Sequence, residues 1–212
     1  MEAFFDSWLT HLDRLRTELL HGVTHRPDLI PHAVDAFLIH YRDYRGAKAR
    51  LADSDLLRAV THPWLTPFER TFLWIGGWKP SLAFRLLPGR CLLAPDQRTA
   101  VEMFRREVEL AEHRISEDMA GAQEAMAGHA VLVAMRARLL YANGNAWEAA
   151  VDEVSGALRA VVNAAEELRD ATLRRLVEIL TAAQTAEFLA AAVELRLRVR
   201  RWGLRRNERQ FA

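Results

Sequence analysis

Residues 101–126, VEMFRREVELAEHRISEDMAGAQEAM, set Val101, Phe104, Val108, Ala111, Ile115, Met119, Ala122 and Met126 at steps of three and four. Such a period turns one apolar stripe toward a partner and leaves the rest to water, the pattern of a packed helix. The charges between, Glu107, Glu109, Glu112, Glu117 and Asp118 among Arg105, Arg106 and Arg114, read as a solvated, salt-bridged face. Downstream the helical pattern continues. Trp147 to Arg169 is rich in Ala and Val, and Thr181-Ala182-Ala183-Gln184 reads as a capping box where a helix restarts. The last helix is expected to run to Trp202, with Gly203 as its stop. All seven prolines lie at or before Pro95, so the second half is free to form long helices.

Upstream, Phe5, Trp8, Leu12, Leu15 and Leu19 mark an amphipathic helix ending near Gly22. Val34, Phe37, Leu38, Tyr41, Tyr44 and Lys48 mark a second. Asp53, Ser54 and Asp55 are cap candidates for a short third helix. Thr66-Pro67-Phe68-Glu69 reads as a capping box opening a helix through Phe72 and Ile75, closed by Gly76-Gly77. Pro80-Ser81 starts another short helix, closed by Pro88-Gly89. No strand-like alternation of useful length appears. The fold expected is all-α: a bundle of long helices with a short-helix subregion at about 53–90, forming a single domain over 4–203 and a basic C-terminal tail at 204–212.

Composition narrows the function classes. Basic and acidic residues nearly cancel, 29 against 28, which argues against a surface built throughout for nucleic acid or anionic membrane. With Cys91 as the one cysteine, neither an intrachain disulfide nor a Cys-based zinc site can form, and a reducing compartment is expected. No apolar run is long enough to span a bilayer, and no membrane contact is expected.

Catalytic footprints are lacking: there is no GxSxG elbow, no phosphate loop and no HExxH, so no catalytic and no metal residue is assigned. His21 and His25 are read as loop residues. Arg196, Arg198, Arg200, Arg201, Arg205, Arg206 and Arg209 form a basic tract with two readings. One is a helix C-terminus and solvated tail; the other is a nuclear-localisation patch or a contact for an acidic partner.

One stretch is more specific. Trp64-Leu65-Thr66-Pro67-Phe68-Glu69-Arg70-Thr71-Phe72-Leu73-Trp74-Ile75-Gly76-Gly77-Trp78-Lys79-Pro80-Ser81 resembles the signature of the plant Delay-of-Germination domain, which also forms the C-terminal half of TGA-type bZIP transcription factors. Phe5-Asp6-Ser7-Trp8, His40-Tyr41-Arg42-Asp43-Tyr44 with Lys48, Glu112-His113-Arg114-Ile115, Leu168 to Leu173 and Ile179 to Gln184 extend the resemblance over roughly 4–203.

The resemblance implies a stand-alone, non-enzymatic regulator of seed dormancy and abscisic-acid signalling, in nucleus and cytoplasm. It would bind clade-A type-2C protein phosphatases through Phe5, Asp6, Ser7 and Trp8. Trp64, Pro67, Glu69, Arg70, Trp74, Gly76, Gly77, Pro80 and Ser81 would be structural. The alternatives are a haem- or lipid-binding sensor, or a TGA-like coregulator that binds a transcriptional coactivator and reads no DNA sequence itself. Haem has candidate ligands in His40, His113 and His129, although the family's late-domain histidines are absent; a fatty acid is the other candidate ligand.

Overall fold

Helix α1 (Glu2–Thr24) forms because Phe5, Trp8, Leu12, Leu15 and Leu19 recur on one side, and all five are buried in the computed structural model. The structure describes residues 1–87, 93–126, 128, 135 and 145–210. Cys91, His129 and the Pro88-Gly89 pair lie outside them. The chain stays helical past Gly22, so His21 sits in the last turn of α1 and His25 caps it, rather than both lying in a loop. Ile30 packs against the Gly22 backbone, its Cγ1 2.9 Å from where a Cβ would stand, which explains the glycine as a packing residue instead of a stop.

Helix α2 (Ile30–Ser54) starts with Pro31 in its first turn. Helix α3 (Leu56–Thr61) is capped by Asp55, whose carboxylate accepts from the Arg58 N–H at 2.9 Å. Helix α4 (Pro67–Arg70) carries the expected capping box but lasts one turn. The expected continuation through Phe72 and Ile75 is not helix: Trp74 to Gly77 is a tight turn, followed by a 3₁₀ segment at Pro80–Arg85. Three long helices follow, α5 (Pro95–Met126), α6 (Asn145–Ile179) and α7 (Ala182–Gln210). The restart after Ile179 is the capping box read from sequence: the Gln184 side chain accepts from the Thr181 N–H at 2.9 Å, and Thr181 Oγ1 accepts from the Gln184 N–H at 3.3 Å.

The result is all-α, long helices with a short-helix subregion, and no strand exists among the described residues. None of the helices in the described residues is long and apolar enough to cross a membrane. Helix α7 packs along α1 and also meets α2, enclosing the main core of Phe5, Leu19, Leu176, Phe188 and Leu189. Helices α5 and α6 pair around a second core of Ile115, Val161 and Ala165. The short-helix subregion joins the two: Trp64 and Leu65 belong to the first core, while Trp74 and Ile75 pack against the second.

Helix α7 does not stop at Gly203. It continues to Gln210, so 204–210 is helical. Gly203 is instead a contact: a Cβ there would lie 2.1 Å from Thr66 Oγ1, the oxygen that caps α4. Gly203→Ala is therefore expected to destabilise by about 1–3 kcal/mol through overpacking. Gly121 and Gly156 sit in helices with nothing within 4 Å of an added Cβ. Alanine there should stabilise by about 0.4–1 kcal/mol. Urea denaturation of the three variants checks both signs; equal signs would contradict this account.

Candidate functional site

The signature segment begins with the α4 cap. Glu69 is buried, its carboxylate accepts from the Thr66 N–H at 2.8 Å, and Thr66 Oγ1 accepts from the Glu69 N–H at 3.2 Å. Arg200 of α7 completes the charge balance. It donates to Glu69 at 3.0 Å, to the Trp64 carbonyl at 3.2 Å and to Asp6 of α1 at 3.3 Å. One guanidinium thus ties α4 to both α1 and α7, as a planar fork with several donors can.

The Trp74–Gly77 turn has left-handed backbone at both central residues, Ile75 at φ 43° and Gly76 at φ 68°, and two cross-turn hydrogen bonds of 2.6 and 3.1 Å. This is the type I′ geometry, costly for a β-branched residue such as Ile75 and free for glycine. What holds it is Arg169 of α6, buried and donating to the carbonyls of Trp74 at 2.5 Å, Ile75 at 2.9 Å and Trp78 at 2.8 Å. Gly77 admits the guanidinium, since a Cβ there would stand 2.6 Å from Arg169 Cζ. The fourth carbonyl, Gly76, accepts from the buried Lys48 ammonium at 2.5 Å.

Lys48 and Arg169 share Glu166, at 2.5 and 2.9 Å, and Arg45 stands 3.8 Å from its second oxygen. Burial alone would push the Glu166 carboxyl up, but the three cations outweigh it and hold it below the usual carboxylate range. Burial pulls the Lys48 ammonium down, opposed by Glu166. From the far side, α5 supplies buried Glu112, which accepts from the Ser81 N–H at 2.6 Å and faces Lys79 at 3.4 Å. Glu112 is thus not part of the solvated face expected for α5. Ser116 accepts from the Trp74 indole at 3.0 Å.

Beneath the turn lies a cavity of about 230 Å³, walled by apolar groups including Leu12, Phe37, Leu73, Leu86 and Phe188 and bordered by His62. His62 is buried in left-handed backbone, φ 49°, and its Nδ1–H donates to the Val60 carbonyl at 2.8 Å. Burial drives its pKa down to about 4, with Lys48 adding to the effect, so the ring is neutral.

The residues singled out from sequence divide clearly. Trp64, Glu69, Trp74, Gly76, Gly77, Pro80 and Ser81 are in the network or its packing, while Pro67 and Arg70 are exposed around the α4 turn. Phe5 and Trp8 face the core and cannot be the exposed aromatic anchor of a partner helix; Asp6 and Ser7 are exposed, with Phe4 beside them 38 % exposed. Of the candidate haem ligands, His40 and His113 are among the described residues and lie on different helices. His40 stacks on Trp8 and donates from Nε2 to the Trp8 carbonyl at 2.9 Å. His113 is exposed on α5 beside Glu117. Among the described residues no group of three or more His, Cys, Asp or Glu could hold a metal. Reading the sequence alone missed the bonding roles of Lys48, Glu112, Glu166, Arg169 and Arg200.

Residues 11–88 match a family described as seed dormancy control. The chain is 32 % identical to Protein DOG1-like 4 of Arabidopsis thaliana, over 96 % of this chain and 92 % of that protein. It is 28 % identical to the Arabidopsis Protein RESPONSE TO ABA AND SALT 1, over 79 % and 76 %. It is 30 % identical to the Arabidopsis Transcription factor TGA7, over 94 % of this chain but 54 % of that factor.

Proposed function

The chain belongs to the seed-dormancy-control family, and from that premise we propose that it is a non-enzymatic regulator in dormancy and abscisic-acid responses, working by protein contact. The observation that carries this reading is how the signature spends its polar groups. Lys48, Glu69, Glu112, Glu166, Arg169 and Arg200 bind the chain's own backbone and one another, as a scaffold does. The relatives named for abscisic acid and for transcription support a regulator that works in the nucleus, and the same reading places a further share of it in the cytoplasm.

The partner in this reading is a clade-A type-2C phosphatase or a transcriptional coactivator. Of the N-terminal contact set, Asp6 and Ser7 are the members on the surface. Phe5 and Trp8 act by holding α1 in place. A second reading, a bound acyl chain, is favoured by the apolar cavity under the Trp74–Gly77 turn. Haem through His40 and His113 is not favoured, because these side chains do not face one site.

One experiment tests both readings. The tagged full chain is purified from plant extract and analysed by peptide and native mass spectrometry. The expected result is a stoichiometric phosphatase or transcription-related partner, weakened when Ser7 is changed to Arg. Recovery of the chain alone, in extract that contains these partners, would count against the interaction reading. A native mass equal to the bare polypeptide would remove the acyl chain.

A further inference from the structure

Four aromatic rings run across one outer face where α4, the tight turn and the end of α7 meet. Trp202 lies 6.4 Å from Phe68, Phe68 lies 5.2 Å from Phe72, and Phe72 lies 6.3 Å from Trp78. Two of them are well exposed, Phe72 at 41 % and Trp202 at 56 %, and Leu204 adds another exposed apolar group at 42 %. Arg206 lies over the Phe68 ring, 5.5 Å from its centroid. Arg70, Arg205, Arg206 and Arg209 make no ion pair among the described residues, whereas Arg198, Arg200 and Arg201 are paired with Glu194, Asp6 and Glu69. Glu208 is the one acidic side chain between Trp202 and Arg209.

The basic tract therefore has two parts: an inner set spent on the fold, and an outer set with no carboxylate, standing beside exposed rings. Cations at a helix C-terminus are favourable on electrostatic grounds alone. That accounts for arginines at 205–209 but not for exposed Trp202 and Phe72. Exposed Trp beside unpaired Arg is the composition that dominates binding energy at protein interfaces. The platform is also rigid, because Arg200 and the Gly203–Thr66 contact fix α7 against α4.

We propose that the Phe72–Trp202–Arg206 face is a docking surface for an acidic segment of a partner protein that carries an apolar anchor. The anchor seats against the Phe72 and Trp202 rings, and its flanking carboxylates meet the unpaired arginines. A second copy of this chain fits worse, since a two-fold contact through this face would set like-charged arginines against one another. The inference rests on the reading of the chain as an interaction protein and assigns a surface to it.

The test is a random dodecapeptide display library panned on the full chain and counter-selected on a Trp202→Ala, Arg206→Glu double variant. Both changes lie on exposed side chains, and circular dichroism checks that the variant keeps its helices. Enriched peptides should be acidic with one or two large apolar residues. By fluorescence anisotropy each single variant should weaken them by about tenfold or more, and added salt should weaken them further. No enrichment, neutral or basic consensus peptides, or affinities unchanged in both variants would overturn the proposal. Tighter binding of an oligothymidylate than of the peptides would overturn it in favour of single-stranded nucleic acid. A dimer in light scattering that is lost in Trp202→Ala would overturn it in favour of self-association. If the double variant still recovers its partner from extract, this surface is wrong while the regulator reading stands.

Discussion

Arg169→Met is expected to cost about 3–5 kcal/mol of unfolding free energy, the range for breaking a buried charge network by removing one partner. The carbonyls of Ile75 and Trp78 would lose their donor, and that of Trp74 would keep only the Gly77 N–H, in a place water reaches poorly. Glu166 would keep Lys48 and Arg45 but lose its bond to Arg169 Nη1. The left-handed pair Ile75-Gly76 would then lack what holds it. Arg169→Lys should recover less than half of the loss, because one ammonium cannot reproduce the fork that serves Nε, Nη1 and Nη2 partners at once. Lys48→Met combined with Arg169→Met should cost less than the sum of the two, since both act through Glu166. Urea denaturation with intrinsic tryptophan fluorescence reads all three. A loss below about 1 kcal/mol for Arg169→Met would show that the turn stands without it.

The second large effect is a pH dependence centred on His62. Its folded-state pKa is lowered to about 4, against about 6.5 in an unfolded chain. The unfolded state therefore binds more protons between these values, and stability must rise with pH across that window. The contribution is complete above pH 6.5, shrinks as pH falls, and is gone below about pH 4. A difference of two to three pKa units corresponds to about 3 kcal/mol. Lowered carboxyls such as Glu166 add an acid loss of the same sign at lower pH, so the comparison needs a variant. His62→Asn suits the left-handed backbone at this position and does not titrate. Unfolding free energies from pH 7.5 to 4.0 should fall more steeply for the parent chain, by about 3 kcal/mol over the window. Parallel curves for the two proteins would mean that His62 is protonated without cost.

The long helices and the two capping boxes were legible because they follow local rules: a period of three to four, Thr with Glu or Gln three residues on, and proline at a helix start. The tight turn was not. Phe72 to Ile75 carries a run of large apolar residues that suits a helix locally, and only Arg169, far away in sequence, supplies donors for the alternative. Gly203 misled for a similar reason, since nothing near it shows Thr66 packed across it.

A signal for the buried network was nevertheless present. Lys48 continues the stripe Val34, Phe37, Tyr41, Tyr44; Arg169 falls between Ala165 and Thr172; Glu112 falls between Val108 and Ile115. A charge in register with an apolar stripe is a charge going inside, where it must meet a partner. Phe5 and Trp8 show the converse difficulty. The apolar face of an amphipathic helix is equally suited to a core and to a partner, and only the position of α7 decides between them.

The dependence of the Trp74–Gly77 turn on Arg169 also orders events during synthesis. The two lie 95 residues apart, so at ribosomal speeds the turn leaves roughly 5–20 s before its guanidinium is made. During that interval the carbonyls of Trp74, Ile75 and Trp78 face solvent, and Trp74 waits for a core whose α6 residues do not yet exist. Residues 11–88 are recognisable as a family segment, yet their turn takes its side-chain donors from Arg169, outside that segment. A message truncated anywhere before codon 169 would yield a chain for chaperones and proteases to handle rather than a smaller working module.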